Sequence, residues 1–143
     1  MAELRTLAPI VHTVLAAPEG CDAAMSAAPD AGVLRRSPVE SMLVGGLDTA
    51  VLQRAVRDAD PGALVVDVSD GWAAFVLEGD GSRAAFARLS ELELPAEGSL
   101  AGEVAHVGVR VLVSGDRLTL LVPAMLAGHL EERIRTDCAE LLT

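Results

Sequence analysis

Asp67, Ser69 and Asp70 bring two carboxyl groups and a hydroxyl into one short stretch, a set that can exchange a proton or offer oxygen ligands to a divalent cation. No nucleophile or ligand cluster accompanies them, so the turn chemistry of Asp and Ser explains them better: their side chains bond backbone N–H groups, and Asp67 stands just before a turn. His12, His106 and His129 are too scattered for metal-ligand spacing. His106 can share a polar patch with Glu103 and Arg110, on the strand face opposite a stripe of valines. Gly79-Asp80-Gly81 before a helical segment offers an anion the free N–H groups of a helix start, but the full glycine fingerprint is missing and Asp80 repels phosphate. Trp72 is the largest flat surface available, for stacking a planar ring, anchoring an interface or filling a core. Cys21 and Cys138 match no metal or redox spacing, and Cys138 falls on the apolar side of a helix, where a thiol acts as a small hydrophobe. These residues predict no catalytic, cofactor-binding or metal site, and leave Trp72, Asp67, Asp70, His106 and Arg110 as candidate interface or ligand contacts.

The elements that would position them follow from composition and periodicity. A chain of 143 residues that is 51% hydrophobic and 22% charged has enough apolar surface to fold and is sized for a single domain, residues 1–143. Only 2% of it is aromatic, so Leu, Val and Ala must build the core. All 11 basic residues are arginine, against 21 acidic ones, and the net charge of −10 disfavours nucleic acid and anionic lipid. The apolar stretch at residues 7–17 follows Glu3 and Arg5 and is interrupted by Pro9 and His12, unlike an export signal. The run at residues 118–127 is too short to span a membrane. A cytoplasmic location is expected.

Residues 1–32 read as a poorly defined segment of loop and short strands, because Pro29, Asp30 and Gly32 punctuate the alanine-rich stretch. Residues 33–36 and 41–44 are expected as an antiparallel strand pair. Asp48 caps a helix carrying Val51, Leu52, Ala55 and Val56, which Asp60-Pro61-Gly62 stops. Residues 63–68 and 72–77 read as two strands of one hairpin, and Ala85, Phe86 and Leu89 as one face of a second helix. Residues 92–102, with Pro95 and Gly98, are expected as a surface loop. Residues 104–113 read as one strand, with Val107, Val109, Val111 and Val113 inward, turning at residues 114–117 into a partner at 118–122. A last helix then carries Leu126, Leu130, Ile134, Cys138 and Leu141. Strand pairs alternating with helices imply an α+β fold, a mainly antiparallel sheet with helices packed on it.

Three segments carry a family resemblance. Residues 65–82, running Val-Val-Asp-Val-Ser-Asp-Gly-Trp into Ala-Ala-Phe-Val-Leu-Glu-Gly-Asp-Gly-Ser, resemble the signature strand, turn and helix entry of sarcosine oxidase gamma subunits. Val111-Leu112-Val113, Gly115-Asp116 and residues 118–123 are similar to that family's final hairpin and its Val-Pro step into a C-terminal helix. Ser37-Pro38-Val39-Glu40-Ser41-Met42-Leu43-Val44-Gly45 resembles a segment shared by gamma subunits and folate-dependent aminomethyltransferases, with Ser41 where the family usually has Trp. The resemblance implies the folate-binding domain fold of aminomethyltransferases. It implies a non-catalytic accessory subunit of an amine oxidase in one-carbon metabolism, contacting a larger alpha-type subunit. Flavin, NAD and folate would lie on partner subunits, with none in this chain. The alternatives are a free-standing folate-binding aminomethyltransferase-like protein and a ligand-binding or interaction module that kept the fold. Isolated from partners, the chain can form a homodimer.

Overall fold

In the computed structural model, which describes residues 1–46 and 48–143, the chain is α+β, with antiparallel sheets and helices packed on them. Strand β1 (Glu3–Leu7) comes first in the chain, followed by β2 (Val11–Leu15), α1 (Pro18–Ala27), β3 (Gly32–Ser37), β4 (Glu40–Val44), α2 (Thr49–Ala59) and β5 (Leu64–Asp67). Then come β6 (Trp72–Glu78), α3 (Ser82–Leu89), β7 (Glu97–Val104), β8 (Val107–Ser114), β9 (Arg117–Pro123) and α4 (Ala127–Asp137). Their contacts gather into two compact units, Pro9–Ser69 and Met1–Ala8 with Asp70–Thr143.

In the unit Pro9–Ser69 the sheet order is β3-β4-β2-β5, the split βαβ arrangement in which two helical crossovers fall on one face. Val14, Leu43 and Val65 project from that face into Cys21 and Ala24 of α1 and Leu52 and Val56 of α2. The expected pairing of residues 33–36 with 41–44 is present as β3 against β4. The α2 start also follows expectation, with Asp48 Oδ1 accepting from the N–H groups of Ala50 and Val51 at 2.8 and 3.3 Å. The N-terminal third is more regular than its composition suggested. Pro18 sits in the first turn of α1, where its missing N–H costs nothing, and the helix ends before Pro29. Gly20 lets α1 and α2 approach, since a Cβ there would lie 2.7 Å from Ala16 Cβ and 3.1 Å from Asp60 Cβ.

The second unit repeats the plan in permuted form. Its sheet order is β1-β6-β9-β8-β7: β6, α3, β8, β9 and α4 follow the same path, β1 takes the place of the fourth strand, and β7 is added at the edge. The valines of β8 at 109, 111 and 113 face Phe75, Leu77, Leu118 and Leu120, and Phe86, Leu89, Leu130 and Ile134 of the helices cover them. Cys138 is buried there, as the helical stripe predicts. The surface pair Glu131–Arg135 closes at 3.1 Å.

Three expectations are corrected. Residues 63–68 and 72–77 do not form a hairpin: β5 pairs with β2, while β6 pairs with β1 and β9 in the other sheet. A tight hairpin needs positive φ, which none of residues 68–71 has, and Ser69–Gly71 instead forms a 3-10 turn. The expected loop at residues 92–102 contains the start of β7, because pairing with β8 outweighs the poor strand propensity of Gly98 and Gly102. Residues 104–113 are not one strand, because a two-residue turn at Ala105-His106, with φ of 51° and 66°, splits them into β7 and β8.

Candidate functional site

That turn determines where His106 goes. Rather than facing out of a strand opposite the valines, the imidazole stands exposed at a hairpin tip. It lines a groove of ≈ 740 Å³ together with Leu89, Ser90, Glu91, Leu92 and Glu103, beside the last turn of α3. The groove walls are cross-tied. Ala105 N–H donates to Leu89 C=O at 2.7 Å, Ser90 O–H donates to Glu103 C=O at 2.6 Å, and Leu92 N–H donates to Ser90 Oγ at 3.1 Å. Gly102 makes room for Leu92, whose methyl carbons would lie 2.7 Å from a Cβ there.

The Glu103, His106 and Arg110 patch is therefore only partly assembled. Glu103 and His106 share the groove, whereas Arg110 on β8 lies over the ring of Trp72, with its guanidinium carbon 5.5 Å from the centroid, within the range of cation–π attraction. Trp72 begins β6 opposite Pro123 and is half-buried. Its ring face is thus engaged by a side chain of the same unit.

Asp67 and Asp70 fall in different units. Asp67 Oδ1 accepts the Ser69 N–H at 2.9 Å, and Ser69 Oγ accepts the Val11 N–H at 2.8 Å, so this trio closes the end of β5 against β2. The Ser69 side chain, then its backbone N–H, hold the Asp67 carboxyl below its ordinary value, and His12 adds a smaller pull. Asp70 is exposed in the 3-10 turn. Among the described residues no group of three or more His, Cys, Asp or Glu side chains is placed to hold a metal.

The Gly79-Asp80-Gly81 loop is filled by the chain itself. A Cβ on Gly79, where φ is +121°, would lie 2.7 Å from Met1 C=O. The Asp80 carboxylate accepts from the Met1 ammonium at 2.7 Å, which lowers its pKa. Ser82 O–H donates to Asp116 C=O at 2.8 Å, fixing the strand-to-helix turn.

Sequence reading set His12 aside as a metal ligand and assigned it no place in the core. It is 1% exposed, and its Nε2 lies 2.8 Å from Thr49 Oγ1 at the start of α2. The signal was available in the pattern, because His12 and Val14 alternate on β2 and Val14 is a core residue.

No protein-family model matches this sequence, and no curated protein does. Solved structures match over almost the whole chain. A chain of heterotetrameric sarcosine oxidase from Corynebacterium sp. U-96 aligns with a TM-score of 0.81 at 19% identity, covering 98% of this chain and 85% of that one. Aminomethyltransferase T of the glycine cleavage system from Bartonella henselae aligns with a TM-score of 0.68 at 18% identity, covering 99% of this chain and 47% of that one. This chain thus spans about half of that protein. The regulatory subunit of aspartate kinase from Thermus thermophilus aligns with a TM-score of 0.51 at 13% identity, covering 96% and 97%. Likeness at these identities concerns the fold. Among the described residues no helix is long and apolar enough to cross a membrane.

Proposed function

We propose that this chain is an accessory subunit of a heteromeric sarcosine oxidase-like amine oxidase, held against a larger alpha-type subunit and contributing assembly rather than chemistry. The observation that carries this reading is the near end-to-end likeness to one chain of heterotetrameric sarcosine oxidase, over 98% of this chain and 85% of that one. Aminomethyltransferase T, by contrast, is matched over only 47% of its length, so the likeness to that protein is partial. Side chains that might have reacted have structural partners: Asp67 with Ser69, Asp80 with the Met1 ammonium, Cys138 with Ala85 C=O. On this reading the flavin, NAD and folate chemistry of one-carbon transfer belongs to the larger subunits, and the complex works in the cytoplasm.

Purification of the native protein tests the proposal. A flavin-coloured complex with larger polypeptides is the expected result. A colourless monomer or homodimer whose melting temperature rises with tetrahydrofolate would replace it with the aminomethyltransferase-like alternative. A colourless protein without that response defeats both and leaves an interaction module.

A further inference from the structure

The groove beside the α3 terminus has a volume typical of ligand sites, ≈ 740 Å³, and its lining is chemically uneven. Among the described residues Arg88 is the one arginine that lines it, and that charge is already engaged: its guanidinium donates to the Glu140 carboxylate and, at 3.3 Å, to the Asp137 carbonyl. Glu91 and Glu103 face no such partner, since neither forms an ion pair among the described residues. The C-terminal turn of α3 adds the negative end of a helix dipole to the same wall. Half-buried Leu92 and exposed Ala87 supply aliphatic surface between these polar groups, over the buried Leu89, and the exposed His106 ring completes the lining. The cross-ties from Ala105 to Leu89 and from Ser90 to Glu103 hold this arrangement ready before anything binds.

We infer that this groove seats an arginine side chain presented by a larger partner polypeptide, an inference that rests on the subunit reading. An arginine fits each feature in turn. Its three-carbon stem lies along Leu92 and Ala87 while its head remains polar. Its planar fork of N–H donors pairs with the Glu91 and Glu103 carboxylates, and its flat face stacks on an imidazole. An anionic occupant would meet two carboxylates and a helix C-terminus, and a purely apolar one would leave both carboxylates desolvated without partners.

The test uses a short probe, acetyl-Leu-Arg-Leu-amide, titrated into the isotopically labelled full chain, with the neutral isostere citrulline replacing arginine in a control peptide. Saturable shifts are expected at the amides of residues 89–92, 103 and 106. The citrulline peptide and the E91Q/E103Q variant should each weaken binding by about tenfold or more, as loss of a charged hydrogen bond does, with melting of the variant unchanged. Shifts that are absent, scattered over the acidic surface, equal for both peptides or undiminished in the variant would overturn the inference. Failure of the subunit reading looks different. A wild-type chain that binds the arginine peptide yet yields no flavin-coloured complex refutes the subunit role alone, whereas a complex that forms without any peptide response refutes the groove alone.

Discussion

His12 Nε2 lies 2.8 Å from Thr49 Oγ1, tying an inner strand of the Pro9–Ser69 unit to the first turn of α2. With the histidine 1% exposed and its Nδ1 without a hydrogen-bond partner among the described residues, this is the bond on which the buried ring depends. Replacing Thr49 by Val should strand a buried polar ring and cost about 1–3 kcal/mol. His12→Ala removes the ring and opens a cavity, for about 2–4 kcal/mol. Urea unfolding with an unchanged m-value checks both, and a loss under about 0.5 kcal/mol for either would show that water satisfies the site.

The Asp67 carboxyl titrates below its ordinary value because Ser69 bonds its charged form. A carboxylate whose folded pKa is depressed stabilises the fold above its unfolded pKa, and that contribution disappears as pH falls through the folded value. The stability gap between wild type and Asp67→Asn should therefore be full near neutral pH and shrink through the acid end of the carboxylate range. Denaturation curves taken across that range decide it. A gap that is independent of pH would mean that Ser69 bonds the neutral and charged forms alike.

How much of this was legible in the sequence depends on whether a segment's own residues decided its state. Asp48 and the stop at Asp60-Pro61-Gly62 delimit α2 because cap and breaker act locally. The alternating valines of β8 and the turn into β9 were equally plain. β7 was not, since Glu97, Gly98 and Gly102 are weak strand formers and an edge position on β8 imposes their extended state. The partners of β5 and β6 were hidden for another reason: both runs are apolar and adjacent in sequence, and nothing in either reveals that each joins a different sheet. The groove was illegible because it depends on the Ala105-His106 turn, which lacks the Asn-Gly or Asp-Gly signature of such turns.

Both cysteines are free and fully buried, with Cys138 Sγ–H donating to Ala85 C=O at 3.3 Å. Burial pushes the Cys138 thiol above its ordinary value, so neither concentration of thiolate nor access favours reaction. A thiol reagent should label no cysteine in the native protein and both after unfolding in denaturant. Rapid labelling of Cys138 in the native chain would show that the C-terminal turn following α4 opens.

Trp72, half-buried at the start of β6 with Arg110 over its ring, should contribute to stability. Trp72→Ala is expected to cost about 1–3 kcal/mol, less than a fully buried aromatic would, and Trp72→Phe a smaller amount because a ring remains beneath the guanidinium. Thermal melts of both variants measure this. If Trp72→Ala melts like wild type yet fails to assemble with larger subunits, the indole anchors a partner instead.

The hairpin tip makes the last prediction, because two residues with side chains occupy a conformation that favours glycine. A left-handed backbone costs an L-residue about 1–2 kcal/mol, and glycine returns part of that gain as lost chain entropy, about 0.5–1 kcal/mol. His106 is exposed, so His106→Gly should stabilise the chain by about 0.5–1 kcal/mol, a rise of roughly 2–4 °C in melting temperature. Ala105 is 6% exposed, and Ala105→Gly also forfeits a buried methyl worth about 0.8 kcal/mol, which brings it near neutral. If the imidazole stacks on an incoming guanidinium, His106→Gly will be the more stable protein and the weaker binder of the arginine peptide. Such opposition is what a strained residue kept for its side chain produces. Calorimetry on the same two samples measures both halves, and a variant that loses stability on His106→Gly would show that the turn carries no strain at that position.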